Sequence, residues 1–207
     1  KRKHFDKTII IWLKPHVIFG RNSFLFSSVA ELNTKIDVLI LGLFKSDAIV
    51  GVYSFYSIIL KGLLGLSNVV QINFSPIITR LWSQKNYKLL LINLQKISYY
   101  TYALFIFICV PLIFIAPYLL EHLSDSELYI KNINLFYILI IGIIIYSGVD
   151  AYNGFLVRIG EPLKQLKIEL FILSFNLILS IFLLFELGSA GVAVSTTLTY
   201  FIFTIII

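Results

Sequence analysis

The chain has 207 residues, of which 58% are hydrophobic, 15% aromatic and only 14% charged, with a formal net charge of +6. A soluble domain is usually about 45–50% apolar and about 25% charged, so a water-facing enzyme or nucleic-acid-binding domain is excluded for want of polar surface. One membrane helix needs ~20 largely apolar residues, which gives this length room for about six.

The lone cysteine, Cys109, excludes an internal disulfide and fits neither a thiolate metal site nor a redox pair. There is no methionine, and the chain opens on Lys1-Arg2-Lys3-His4. It reads as a piece of a longer protein.

In chain order, residues 1–21 predict a cytoplasmic segment in which Lys7–Phe19 forms a helix lying at the membrane interface. Spans follow at about 22–44 and 48–77. The second is longer than a ~30 Å hydrocarbon core requires, so it tilts or extends on the cytoplasmic side until Pro76. The stretch Arg80–Gln95 predicts another interfacial helix. The third span covers about 97–118, with Pro111 inside it to remove a hydrogen bond and bend the helix. The remaining spans are expected at 133–156, 168–187 and 190–207. Trp82, Tyr99, Tyr100, Tyr118 and Tyr129 lie near the predicted interfaces, where aromatic anchors belong.

The placement of Lys and Arg tests this topology. Lys1, Arg2, Lys3, Lys7, Lys14 and Arg21 precede the first span. Arg80, Lys85, Lys88 and Lys96 fall between the second and third, and Arg158, Lys164 and Lys167 between the fourth and fifth. The opposite side holds only Lys45 and Lys131, with Asp47, Glu121, Asp125, Glu127 and Glu186 gathered there. The bias puts both ends of the segment in the cytoplasm, and it reads the positive charge as topology rather than as nucleic-acid affinity.

Ionisable groups at membrane depth cost about 2.5–3.5 kcal/mol each on insertion scales, so each asks for a reason. Glu31 and Lys35 are four residues apart and pair on one helix face. Asn33 and Asp37 share another face about 200° away. Ser54, Ser57, Lys61, Gly65 and Asn68 form a small-and-polar stripe that hydrocarbon would not tolerate. Lys61 either pairs with Asp37 or Glu31, or lines an aqueous cavity and offers positive charge to an anionic substrate. A cysteine placed at Ser57 separates cavity from packed core by its labelling. Asp150 lies near the cytoplasmic end of the fourth span, within reach of neutralisation by Arg158. Asn176 reads as interhelical glue, and Gly191 with Ser195 permits close helix contact. His4, His16 and His122 are scattered outside the spans, so no metal cluster or nucleophile–base set is visible, and an embedded enzyme is disfavoured.

The order of these features resembles a known family. Ile36-Asp37-Val38-Leu39-Ile40-Leu41-Gly42 and Val50-Gly51-Val52-Tyr53 are similar to the opening of the second half of polysaccharide (O-antigen type) flippases of the multidrug/oligosaccharidyl-lipid/polysaccharide exporter superfamily. Ser75-Pro76, Pro111, Pro117, Gly160-Glu161-Pro162, Asn176 and the small-residue run Gly188–Thr196 continue the resemblance over nearly the whole chain from about Asn22. Leu123–Tyr129 departs from it, since relatives more often have a Phe-Gly turn before a tyrosine.

The resemblance implies an all-α integral membrane fold, a six-helix bundle forming one lobe of a two-lobe MATE-like transporter in a bacterial cytoplasmic membrane. The missing N-terminal six-helix lobe would be the partner of the same protein. The implied activity is flipping of a polyprenyl-diphosphate-linked oligosaccharide by alternating access, without a cofactor and driven by a proton or sodium gradient. Other glycan-assembly proteins are further expected partners. Lys35, Lys61, Ser57 and Asn68 are the cavity candidates for substrate, and Asp37, Glu31 and Asp150 the candidates for ion coupling. Glu31, Asp37, Lys35 and Lys61 balance in charge, which tilts the reading towards an anionic substrate. The alternatives are a drug or cation exporter on the same fold and a non-transporting scaffold subunit of a glycan-assembly complex.

Overall fold

A computed structural model describes residues 2–123 and 127–206 of the chain. Apolar runs with few breakers produce long helices: α1 (Arg2–Phe44), α2 (Asp47–Ser83), α3 (Tyr87–Leu123), α5 (Ile133–Asp150), α7 (Pro162–Leu187) and α8 (Ser189–Ile206). Two short helices, α4 (Glu127–Lys131) and α6 (Phe155–Arg158), sit in connections. Among the described residues, five helices are long and apolar enough to cross a membrane: α2, α3, α5 running on through α6, α7 and α8. α1 is longer still, but Glu31, Lys35 and Asp37 make its membrane-depth portion too polar to qualify on composition. Packing holds it in place, for it lies along α7 and touches α2 and α8.

α5 is the central helix, contacting α2, α3 and α8. The main core gathers Leu41, Val52, Phe105, Leu135, Ile140 and Val192, all at most 1% exposed. The outward faces are apolar as well: Phe107 and Phe114 on α3 are each 78% exposed, and Phe185 on α7 is 70% exposed. Such a surface is disfavoured in water and suits hydrocarbon. The chain is a multi-pass membrane protein.

The two expected interfacial helices are not separate elements. Lys7–Phe19 belongs to the continuous α1, which passes through Pro15 without a break. No capping or turn chemistry separates Phe19 from Asn22, and the isolated Gly20 costs only about 1 kcal/mol within a helix. Arg80–Gln95 is divided instead. α2 runs past Pro76 to Ser83 and ends in a left-handed turn at Lys85, φ 56°. Asn86 N–H reaches back to Leu81 O and Lys85 N–H to Trp82 O, the paired bonds of a Schellman ending. Asn86 Oδ1 then caps α3 by accepting from Leu89 N–H at 3.2 Å.

The fourth predicted span, 133–156, lies within one apolar stretch, Ile133–Arg158, that carries a turn inside it. α5 stops at Asp150, and Gly154 at φ 75° turns the chain into α6. Gly160, at φ 93°, closes α6 in another Schellman pair, with Glu161 N–H bonded to Leu156 O at 2.7 Å. Pro162 opens α7 at its first position, where its missing N–H costs nothing. The connection around Asp125 and the departing motif Leu123–Tyr129 fall partly on residues 124–126, outside the described residues.

The expected close contact at Gly191 is present. A Cβ there would lie 2.0 Å from Leu183 O, so α8 rests directly on the backbone of α7. Gly51, by contrast, has nothing within 4 Å of its would-be Cβ. Overpacking of this kind costs about 1–3 kcal/mol. Gly191→Ala is therefore expected to lower the melting temperature of the detergent-solubilised protein by several degrees, whereas Gly51→Ala leaves it unchanged or slightly raised. Differential scanning fluorimetry of the two variants checks this.

Candidate functional site

Asp37 is fully buried near the middle of the bundle. A carboxylate there is tolerable only with donors around it, and three converge. Asn176 Nδ2 on α7 donates to Oδ1 at 3.2 Å. Tyr53 OH and Lys61 Nζ, both on α2, approach Oδ2 at 3.3 and 3.4 Å. Lys61 also donates to the carbonyl of Thr34.

The network continues into α8. Tyr53 OH lies 3.4 Å from Thr196 Oγ1. Asn176 Oδ1 accepts from Ser180 Oγ at 3.0 Å and Ser195 Oγ at 3.4 Å, and the two serine hydroxyls bond each other. Asn176 Nδ2 also lies 3.4 Å from Asn33 Oδ1. The shared face of Asn33 and Asp37 thus meets a single amide, and Asn176 is interhelical glue as its position suggested.

Beside this network lies a cavity of about 430 Å³ between α1, α2, α5, α7 and α8. Asn33, Lys61, Asn68, Asp150, Asn153 and Glu169 supply its polar lining, and Tyr146 and Tyr200 stack at 4.6 Å in its wall. At one end a second cluster forms. Asn153 Nδ2 donates to Tyr146 OH at 3.0 Å, and Gln165 Nε2 donates to Asn153 Oδ1 at 3.2 Å. Glu169 is 98% buried, and its Oε1 has no hydrogen-bond partner among the described residues.

The residues singled out from the sequence meet different fates. Lys61 does both things open to it, pairing with Asp37 and lining the cavity. Asn68 and Asp150 line the cavity too. Lys35 and Glu31 pair at 2.6 Å on an exposed face, with side chains about two-thirds exposed, and neither reaches the cavity. Ser57 is 5% exposed and touches only a minor void beside Lys61 and Thr196. A cysteine there would be protected in any case, which makes it a poor probe of the cavity.

Arg158 does not neutralise Asp150 in an ion pair. Its Nη2 donates instead to Asn153 O at 3.0 Å, across the left-handed turn at Gly154 that separates α6 from α5. The charge balance changes accordingly. The four groups that cancel on paper cancel among themselves, leaving Asp150 and Glu169 as acidic groups of the cavity without an ion-pair partner among the described residues. Glu169 was missed in the sequence although it sits inside the fifth span, where any acid asks for an explanation.

The fold and its polar interior define a class: a helical membrane lobe with a buried charge network beside a cavity. The family model MatE matches residues 25–183, and the chain belongs to that family. It is similar to the crystal structure of the Vibrio cholerae MATE transporter VcmN in the bent form, with a TM-score of 0.73 and 16% sequence identity. The match covers 93% of this chain and 44% of that one, so the chain spans less than half the length of that transporter. At this identity the likeness carries the fold alone. No curated protein matches the chain.

Two outcomes are expected from this geometry. With Cys109 fully buried as the sole native thiol, Asn68→Cys and Gly65→Cys should react with a membrane-impermeant maleimide while Ser57→Cys stays protected. Lys61→Met, which strands the Asp37 charge, should destabilise the lobe by about 2–3 kcal/mol. That is below the ~3–5 kcal/mol of a fully buried pair, because Lys61 keeps contact with the cavity. Adding Asp37→Asn should recover most of the loss, as read by a thermal double-mutant cycle.

Proposed function

We propose that the chain is the C-terminal lobe of an alternating-access transporter that moves a polyprenyl-diphosphate-linked oligosaccharide across a bacterial cytoplasmic membrane, both ends of the segment facing the cytoplasm. The observation that carries this reading is Lys61, a cation at membrane depth that borders a polar cavity while its charge is balanced from behind by Asp37. Family membership and the ordered motifs from Asp37 to Thr196 support a transport role. The resemblance of those motifs to oligosaccharide-lipid flippases supports the substrate.

In this mechanism Lys61 exchanges partners. With the cavity empty it holds Asp37 and the Thr34 carbonyl. When a diphosphate enters, the ammonium group turns to it, and the stranded Asp37 takes up a proton or a sodium ion. That swap ties substrate binding to the gradient, since buried charge must stay compensated at every step. Asp150 and Glu169 are acidic groups that draw the driving cation into the cavity. Lys35 and Glu31 compensate each other outside the cavity. The missing N-terminal lobe supplies the opposite wall, and other glycan-assembly proteins deliver and receive the substrate.

A second reading, export of a cationic drug, is favoured by the acidic groups Asp150 and Glu169 in the cavity. The two separate in proteoliposomes of the full-length protein given a fluorescent oligosaccharide-diphosphate lipid or ethidium. In the flippase reading, Lys61→Ala abolishes lipid flipping, Lys61→Arg retains much of it, and membrane insertion is unchanged. Asp37→Asn/Lys61→Gln, which removes both charges, also stays inactive. Restored flipping in that double variant would reduce both residues to packing. Ethidium export lost in Glu169→Gln but intact in Lys61→Ala would establish the drug exporter.

A further inference from the structure

A more voluminous cavity than the one beside the Asp37 network lies elsewhere in the lobe. It is a groove of about 750 Å³ between α1 and the turn that opens α7, bordered by Lys14, His16, Phe19, Asn22, Glu161 and Leu163. Its level in the membrane follows from two independent boundaries. Asn22 begins the first apolar span and Pro162 begins α7, and both border the groove. The Lys and Arg bias assigns these boundaries to the cytoplasmic face. The groove therefore opens where phospholipid headgroups of that leaflet lie.

Its polar groups are donors in excess. Asn22 is 95% buried, and its Oδ1 accepts from Arg21 Nε and Nη2, both at 3.3 Å. No hydrogen bond among the described residues occupies its amide nitrogen. His16 spends its Nδ1 proton on Trp12 O at 2.8 Å and stacks on the Trp12 ring at 4.0 Å, so it shapes the wall and is not counted among the donors. Lys14 adds a full positive charge. The one carboxylate, Glu161, is held by Lys164 at 3.4 Å.

The start of α7 contributes in the same direction. This 26-residue helix has no side-chain cap at Glu161, Pro162 has no N–H, and the amides of Lys164 and Gln165 both turn to Glu161 O. The Leu163 amide is left for a ligand at the positive end of the helix. Phe19 and Leu163 provide apolar wall beside these donors. Donors and apolar wall together match a phosphodiester with an acyl chain attached.

We propose that this groove binds the phosphate headgroup of an anionic phospholipid of the cytoplasmic leaflet, a lipid clasp between α1 and α7 that is distinct from the transport cavity. Basic pockets between helices on the cytoplasmic side suit such headgroups. The clasp takes no part in transport; its level in the membrane rests on the cytoplasmic orientation proposed above and not on the substrate.

The test uses full-length protein in nanodiscs containing phosphatidylglycerol and phosphatidylcholine, with native mass spectrometry to count the lipids retained. The wild type should retain phosphatidylglycerol selectively. Lys14→Glu, which changes the local charge by two, should weaken that retention by roughly thirtyfold, about fivefold per charge, and Asn22→Ala, which removes a donor and no charge, should weaken it by a smaller factor. Lys88→Glu, an exposed reversal on the same face, should not. Equal retention of the two lipids, or an equal loss in Lys88→Glu, would overturn the proposal by showing bulk charge at work. Displacement of phosphatidylglycerol by inorganic phosphate, or one-for-one by a polyprenyl diphosphate, would overturn it too by assigning the groove to a soluble anion or to the substrate.

Discussion

A carboxylate fully removed from water inside a membrane bundle is the constraint from which the rest of this lobe follows. Asp37 cannot be left with fewer donors than its charge demands, and no single neighbouring helix supplies them all. α7 must bring Asn176, and α2 must bring Tyr53 and Lys61. α8 must then place Ser195 and Thr196 so that those donors are oriented. The direct backbone contact at Gly191 brings α8 close enough to α7 for Ser195 to reach Ser180 and Asn176. α1, too polar to hold a place in the membrane by apolarity alone, is fixed there by the partners of its own charge.

The same network separates two electrostatic tasks. The exposed Glu31–Lys35 pair is a local i,i+4 contact of small energetic weight. The Asp37–Lys61 pair reaches across helices and is partly open to the cavity on the lysine side, while the carboxylate stays buried behind it. Asp150 and Glu169, with their hydrogen-bonded amides, form a second polar centre on α5 and α7. One ion pair open to the cavity and one acidic centre are what the proposed exchange between an anion and a cation would require.

Much of this was legible in the sequence, and the failures have physical causes. The helical lobe followed from apolar length, and the pairing of residues four apart placed Glu31 with Lys35 and Asn33 with Asp37 correctly. Helix ends were harder to place. Charge density suggested interfacial helices where the backbone instead runs straight through Pro15, and the turn at Gln84–Asn86 depends on a left-handed lysine that no composition signal marks. Arg158 was misplaced for the same reason, since its reach depends on the Gly154 turn rather than on spacing along a continuous helix. Ser57 lies on the correct stripe yet packs inward, because helical periodicity gives a face and cannot give the depth of the neighbour opposite.

The size of the cavity limits what this lobe can contribute to the proposed transport. At about 430 Å³ it lies towards the lower end of small-molecule pockets, which run from roughly 300 to 1,000 Å³. That volume accommodates a diphosphate headgroup or a sugar or two, and it is too small for an oligosaccharide repeat. The sugars must therefore occupy space outside this lobe, against walls that need only be polar and wide. In the proposed mechanism, selectivity for the charged head and coupling to a gradient would then be concentrated where Lys61 meets Asp37, while the rest of the pathway would tolerate variation in the glycan. Such a division suits a carrier whose substrates share a charged anchor and differ in their sugars.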